Sequence, residues 1–142
     1  AEKKAKITKK RSAKNVVTRG KRKEAIARAF MRPGSGHIYY NGLRLEAYDS
    51  PFLREVVSEP MQFVETPAFD VHVHVRGGGF SGQAQAARTA IARAIIAFSK
   101  DDELKKSMMS YDRSLLVEDP RRVEPKKFKG PKARARFTKS YR

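Results

Sequence analysis

Residues 69–76 read FDVHVHVR, and the sequence GGGFSGQ follows directly at residues 77–83. The first segment is apolar at residues 69, 71, 73 and 75 and polar between them, which is typical of a strand that buries one face. After the glycines, apolar residues recur at intervals of three and four from Ala84 to Phe98, which predicts a helix over residues 81–98. A strand, a glycine turn and a helix therefore form the centre of the predicted fold.

The segment before this centre has a helix-like composition but an alternating pattern. Residues 24–32 alternate Ile, Arg and Phe with smaller residues, and the sequence PGSG follows at residues 33–36. This loop, the segment 37–40 and the Asn41-Gly42 turn favour a β-hairpin whose first strand covers residues 24–32.

Two further helices are predicted on the two sides of this centre. Ser50-Pro51 is a helix start signal, and Glu59-Pro60 ends a short helix there. Leu104, Met108 and Tyr111 have helical spacing, which predicts a helix of about residues 101–110. Ile96 lies off the stripe of the central helix, so a second element is expected to cover it. Residues 115–117 are the last apolar run, and nothing beyond Pro120 can build a core.

The positive charge of the chain lies at its two ends. The sequence has 32 Lys and Arg against 15 acids, a net charge of +17. Residues 1–28 hold 12 of these cations and residues 120–142 hold 10, so the middle is nearly neutral. We divide the chain into a basic N-terminal extension (1–15), a globular domain (16–119) and an extended basic C-terminal tail (120–142). Such arms repel themselves unless they bind a polyanion, which predicts a nucleic acid partner.

Composition also excludes several classes of protein. No apolar run is long enough to cross a bilayer, and the basic N-terminus lacks the apolar segment of a secretory signal, so we expect a soluble, cytoplasmic protein. Binding to a membrane surface is the alternative for the arms, but neither arm has an apolar helical stripe to insert. The chain has no cysteine, which excludes a disulfide framework, a thiolate nucleophile and a cysteine-based zinc site.

The glycine segment is the strongest local candidate for a binding site. Glycines allow close backbone approach, and the helix N-terminus after them favours an anion such as phosphate. The Gly-Lys-Ser/Thr ending of a P-loop, a dinucleotide fingerprint and a nearby pair of carboxylates for magnesium are all missing, which disfavours a nucleotide-using enzyme. An RNA phosphate contact is favoured, and a turn without a ligand remains the alternative.

His72 and His74 fall on one face of the predicted strand. Two histidines at this spacing can bind a metal, but no third ligand follows them in sequence. We therefore interpret both histidines, together with Asp70 and Arg76, as polar strand residues that face solvent or RNA.

The C-terminal tail combines cations with aromatic residues. Phe128, Phe137 and Tyr141 stand among lysines and arginines, and such rings can stack on unpaired bases or enter RNA grooves while the cations contact phosphates. Three prolines favour an extended conformation over a helix. A solvated tail without a partner is the alternative.

Several segments together resemble a known family. They are GKRKEAIAR at residues 20–28, RPGSG at 32–36 with Asn41-Gly42, GGGFSGQA at 77–84 with IARA at 91–94, DPR at 119–121 with Val123-Glu124, and the tail. From about residue 16 to residue 142 the chain resembles the universal small-subunit ribosomal protein S-nine family. Residues 130–142 are similar to the archaeal and eukaryotic cytoplasmic version of that tail.

The resemblance implies an α+β fold of the ribosomal S-five second-domain type, with a sheet covered by helices and a left-handed βαβ crossover. It implies a non-catalytic constituent of the small-subunit head that binds small-subunit rRNA. The C-terminal tail would extend toward the anticodon loop of the peptidyl-site tRNA, and neighbouring head proteins would be further partners. No cofactor, metal or membrane is expected.

Candidate binding residues follow from the resemblance and from the charge of the tail. The candidates for rRNA binding are Lys21, Arg22, Lys23, Arg28, Arg76, Gly77, Gly78, Gly79, Ser81, Gln83, Arg121, Arg122, Lys126, Lys127, Lys129, Lys132, Arg134 and Arg136. Lys139 and Arg142 are the candidates for tRNA binding. The competing functions are an enzyme of the kinase type that shares this fold and a free architectural nucleic-acid binder.

Overall fold

A computed structural model describes residues 15–65 and 67–140 of the chain. Within these residues it is α+β, as predicted, with one mixed sheet and three α-helices. The strands are β1 (Val16–Arg22), β2 (Ala25–Pro33), β3 (Ile38–Tyr40), β4 (Leu43–Arg44) and β5 (Phe69–Arg76). The helices are α1 (Pro51–Ser58), α2 (Phe80–Ser99) and α3 (Asp102–Tyr111), and short 3-10 turns lie at Leu45–Ala47, Glu59–Phe63 and Arg113–Leu115.

The sheet has the strand order β1-β2-β5-β3-β4. All neighbouring strands are antiparallel except β3 and β5, which are parallel. The predicted strand at residues 69–76 is β5, and its residues 69, 71, 73 and 75 are buried as expected. On β2 the buried positions are Ala25, Ala27, Ala29 and Met31. One face of the sheet therefore faces the core.

The predicted pairing of residues 24–32 is wrong, although the strand exists. β2 pairs with β1 and β5, so β5 separates it from β3. The loop at residues 33–36 does not close a hairpin, because the carboxylate of Asp70 on β5 accepts hydrogen bonds from the amides of Ser35 (2.9 Å), Gly36 (3.1 Å) and His37 (3.0 Å). The chain is thereby held over the start of β5, and β3 then runs parallel to β5.

The Asn41-Gly42 turn joins β3 to β4, which is the hairpin that this dipeptide indicates. Both residues have positive φ angles, 46° and 89°, as a type I′ turn requires. Strand β1 was not predicted. Its sequence, VVTRGKR, is rich in cations, contains a glycine and has too few apolar residues to indicate a strand.

Helix α2 lies across the inner face of the sheet and packs against β1, β2 and β5. It extends one residue beyond the prediction at each end, and its alanines other than Ala97 are buried together with Ile91 and Ile95. A Cβ on Gly20 of β1 would contact the carbonyl oxygen of Ala86 and lie 2.7 Å from the amide nitrogen of Ala90. Gly20 therefore lets β1 and α2 approach each other more closely than any other residue would.

The other helix predictions are confirmed. Helix α1 begins at Pro51, with the Ser50 hydroxyl accepting a hydrogen bond from the Leu53 amide, and it ends at Ser58. Helix α3 covers residues 102–111. Ile96 is partly buried and packs against the core.

Residues 120–140 contain no helix or strand and are almost entirely exposed. These residues form no helix, as the prolines predicted, but the tail is not extended throughout. Arg134 forms an ion pair with Glu124 at 2.8 Å, so the chain turns back on itself around Gly130, which is buried. Of the predicted N-terminal extension, residues 1–14 lie outside the described residues. No described helix is long and apolar enough to span a bilayer.

Candidate nucleic-acid interface

The glycine segment joins β5 to α2, as predicted, and the fold itself requires two of its glycines. Gly77 and Gly78 have φ angles of 74° and 68°. A Cβ on Gly77 would lie 2.8 Å from the carbonyl oxygen of Glu24, and one on Gly78 would lie 2.8 Å from the amide nitrogen of Ala25. Gly79 faces open space instead. The first two glycines are thus explained by the close approach to the β1–β2 turn, independently of any ligand.

This close approach brings two groups of candidate residues together at one end of the sheet. Lys21 pairs across the ladder with Ile26, which in turn pairs with Arg76. Lys23 lies in the β1–β2 turn, next to the glycine segment. The side-chain amide of Gln83 donates a hydrogen bond to the Gly77 carbonyl at 3.0 Å. Gln83 therefore holds the segment in shape from the first turns of α2, and the exposed Ser81 lies beside it.

The sheet face opposite α2 carries most of the body's exposed strand side chains. We call it the outer face, and its members are Val17, Arg19, Lys21, Ile26, Arg28, Phe30, Arg32, Tyr39, Arg44, Asp70, His72, His74 and Arg76. Six of these residues are cations and one is an acid. The face also holds aromatic rings, a combination that RNA-binding sheets use.

The outer face includes both candidate metal ligands. The ring of His72 stacks on Tyr39 with centroids 4.5 Å apart, and the ring of His74 meets the edge of Phe30 at 5.9 Å. No group of three His, Cys, Asp or Glu residues that could hold a metal occurs among the described residues. The histidines therefore belong to an aromatic surface.

Asp70 does not face RNA or solvent freely, contrary to its interpretation as an open polar residue. The hydrogen bond from the amide of His37, with those from Ser35 and Gly36, holds the pKa of Asp70 below its ordinary value although partial burial opposes this. Its charge is therefore engaged by the loop at residues 33–36.

Arg22 points inward, unlike its neighbours Lys21 and Lys23. Its side chain is only 16% exposed, its Nε donates to Gln85 at 2.8 Å, and its guanidinium pairs with Asp119. Arg121 pairs with the same carboxylate at 2.7 Å. The hydrogen bonds from Arg121, together with the charge of Arg22, lower the pKa of Asp119 well below its usual range. Arg22 and Arg121 thus have a partner within the chain.

Two arginines on α2 hold the segment that leads to the tail. Arg88 pairs with Asp112 and, at 2.8 Å, with Glu59. Arg93 donates to the carbonyl of Leu116 and pairs with Glu118 at 2.9 Å. Sequence reasoning did not identify these residues. Two signals for these ion pairs were available in the sequence. They are the arginines beside the apolar stripe of α2 and the acidic pair at residues 118–119.

The remaining tail candidates are exposed. Arg134 is 84% exposed in its pair with Glu124, and Arg136 donates to the carbonyl of Phe128 at 3.2 Å. Phe128 and Phe137 are 87% and 73% exposed. Arg122, Lys126, Lys127, Lys129, Lys132 and Lys139 are also exposed. Arg142, the second tRNA candidate, and Tyr141 lie outside the described residues.

Comparison with known proteins gives consistent matches along the chain. The family model for ribosomal protein S9/S16 matches residues 20–142. A protein of Picrophilus torridus named small ribosomal subunit protein uS9 is 48% identical over 129 residues, which cover 89% of this chain and 97% of the relative. Proteins of the same name from Dictyostelium discoideum and Desulfurococcus amylolyticus are 48% and 42% identical, each covering 91% of this chain and 95% and 94% of their own length.

Proposed function

Because the chain belongs to the ribosomal protein S9/S16 family, we propose that it is a structural constituent of the small ribosomal subunit head that binds small-subunit rRNA. We further propose that its C-terminal tail extends toward the anticodon loop of the peptidyl-site tRNA. The family is structural, so the prediction that the chain is not an enzyme is confirmed, and the kinase-type alternative is excluded. The similarity of the chain to archaeal and eukaryotic members is confirmed as well.

The observation that carries the proposal is the contrast between a fixed attachment point and an exposed basic tail. Side chains of β1 and α2 hold Glu118 and Asp119, and the chain beyond them presents exposed lysines and arginines. Such an exposed segment buries too little surface to offset the conformational entropy that it loses on ordering. It therefore becomes ordered when it binds a polyanion. RNA phosphates have the required charge density.

The division of the chain follows the same contrast. We propose a body of residues 16–119, an N-terminal extension of residues 1–15 and a tail of residues 120–142. The parallel pair β3 and β5 is joined by a connection that contains α1, which is a βαβ unit. We propose that this crossover is left-handed, as in the ribosomal S-five second-domain fold.

Among the candidate residues, exposure supports direct rRNA contacts for the two ends of the body and for the tail. On the body these are Lys23, Arg28, Arg76 and the glycine segment, together with the half-exposed Lys21. In the tail they are Arg122, Lys126, Lys127, Lys129, Lys132, Arg134 and Arg136, whereas Lys139 and Arg142 are proposed to contact the tRNA. For Arg22 and Arg121 we propose an indirect role. Both pair with Asp119 and thereby position the tail that contacts the RNA.

Sedimentation tests the proposal against the free architectural binder. The protein should co-migrate with small ribosomal subunits through a moderate-salt wash and remain absent from bulk RNA fractions. A protein that washes off the subunits at the same salt as it leaves unrelated RNA would be a free binder. Chemical footprinting of rRNA in reconstituted subunits, with and without residues 120–142, would locate the contacts of the tail.

A further inference from the structure

We infer that the outer face of the sheet binds unpaired RNA, with bases stacked on Phe30 and Tyr39 and phosphates held by Arg28 and Arg76. The inference rests on the proposed function and names the class of RNA that the body takes. It concerns a surface of β1, β2, β5 and β3 and does not involve the tail.

The strand register aligns side chains of this face in one row. Val17 pairs with Phe30, Phe30 with His72, and His72 with Tyr39, so the row crosses four strands. In this row the rings of His72 and Tyr39 stack on each other, and Phe30 contacts His74 beside the row, so the rings form two neighbouring aromatic pairs. Phe30, Tyr39 and His72 are partly exposed, and His74 is exposed. Successive unpaired bases stack on such surfaces in RNA-binding sheets.

Two depressions on this face each combine a ring with an arginine. One of about 430 Å³ is lined by Ile26, Arg28, Phe30, His74 and Arg76. The other, of about 290 Å³, is lined by Phe30, Arg32, His72 and His74. A site for a nucleotide needs both a ring and a cation, because the base presents an apolar face and the phosphate presents a negative charge.

The charge of the face favours RNA over a protein partner. Arg28, Arg32 and Arg76 form no ion pair or side-chain hydrogen bond with any described residue. The one acid of the face, Asp70, is engaged by the amides of the loop at residues 33–36. A duplex keeps its bases stacked inside and would contact only the arginines, so the exposed rings favour unpaired nucleotides.

Binding of the full-length protein to two RNA probes tests the inference. The probes are a single-stranded RNA that carries 2-aminopurine and a duplex of the same length. Stacking on one ring changes affinity by roughly 10-fold, so Phe30→Leu and Tyr39→Leu should each weaken single-strand binding about that much and reduce 2-aminopurine quenching. Duplex binding should change by less than about 2-fold. Tyr111→Leu, on the 62% exposed tyrosine of α3, is the matched control and should behave as wild type.

Equal losses on both probes, or no loss on either, would overturn the inference. A second measurement does not depend on the variants folding normally: p-benzoylphenylalanine in place of Phe30 is photocrosslinked in reconstituted subunits. Crosslinks to single-stranded rRNA segments are expected, and crosslinks to protein alone would assign the face to a neighbouring protein. If the variants assemble into subunits and still bind the single-stranded probe normally, this inference is wrong and the proposed function stands.

Discussion

The guanidinium of Arg22 on β1 pairs with the carboxylate of Asp119, the last residue before the basic tail. Arg121, in the tail itself, shares that carboxylate at 2.7 Å. One acid thus joins the first strand of the body to the first arginines of the tail. The direction in which residues 120–142 leave the body is therefore set by side chains of the folded domain.

Asp119→Ala should release the start of the tail. Loss of the carboxylate leaves Arg22, which is mostly buried, without its counter-ion, so the segment around residues 118–122 loses its attachment. Limited trypsin digestion should cleave after Arg121 and Arg122 several times faster than in wild type. Glu46→Ala, which removes an exposed acid outside the tail, is the control and should not accelerate these cleavages. Unchanged cleavage in Asp119→Ala would show that the tail is held by other contacts.

Gly20→Ala should destabilise the body. The added Cβ would contact the Ala86 carbonyl oxygen and lie 2.7 Å from the Ala90 nitrogen, both of which are backbone atoms of α2 that cannot swing aside. Overpacking of this kind costs about 1 to 3 kcal/mol in the free energy of unfolding, measured by denaturant titration. Gly79→Ala is the matched control, because a Cβ there meets open space at a negative φ. Its free energy of unfolding should stay within about 0.5 kcal/mol of wild type.

Asp70→Asn should cost stability in a pH-dependent way. Asparagine keeps an oxygen acceptor but loses the charge that strengthens the three amide hydrogen bonds, a loss of about 1 to 2 kcal/mol at neutral pH. The pKa of Asp70 is lowered by folding, so the contribution of its charge is complete above the ordinary aspartate pKa and is lost as the pH falls below about 4. Denaturant titrations at pH 6 and pH 3 should show the gap between variant and wild type closing.

Asp49→Asn is the control for this pH dependence. Asp49 is exposed and accepts no hydrogen bond from a described residue. Its replacement should leave stability nearly unchanged at both pH values. A gap for Asp70→Asn that stays constant from pH 6 to pH 3 would show that the amide hydrogen bonds do not depend on the charge.

The elements that were predictable from sequence are those whose burial pattern is local. Helix α2 and strand β5 each carry a full apolar period, so their bounds were found to within one residue. Helix α1 was predictable from Ser50 and Pro51, which mark its first turn chemically. Each of these signals needs no knowledge of what the element packs against.

The pairing of the strands and the inner ionic contacts were not predictable, because both depend on distant residues. The loop at residues 33–36 has the glycines and proline that are typical of a hairpin turn. Asp70 instead accepts hydrogen bonds from its amides, so the chain crosses over the start of β5. Arg22 belongs by composition to a run of exposed cations, and only the fold shows that it faces Gln85 and Asp119. The charge of the tail was predictable, whereas its attachment was not.

RNA binding by the isolated protein should depend steeply on salt, and the two arms should account for most of the dependence. Each neutralised phosphate contributes a slope of roughly 0.7 to 0.9 in a plot of log affinity against log salt concentration. Removal of residues 1–15 and 120–142 should therefore flatten the slope by several units. A body of residues 16–119, with Lys21 and Lys23 neutralised, that kept the full slope would refute the division into arms and body.

The end of the tail should be dispensable for folding and matter for tRNA. Residues 120–140 contribute one buried position, Gly130, to the structure, so removal of residues 138–142 should leave the thermal melt unchanged and allow assembly into subunits. Affinity of the peptidyl site for tRNA should fall modestly, because one charged hydrogen-bonding contact is worth about 1 to 3 kcal/mol and tRNA makes many others. Arg142→Ala should reproduce most of this loss, and Arg142→Lys part of it, since lysine lacks the planar fork that binds phosphate through two hydrogen bonds. Lys132→Ala removes a tail charge further from the end and is the control. Equal tRNA binding by intact and truncated subunits at near-physiological salt would restrict the tail to rRNA.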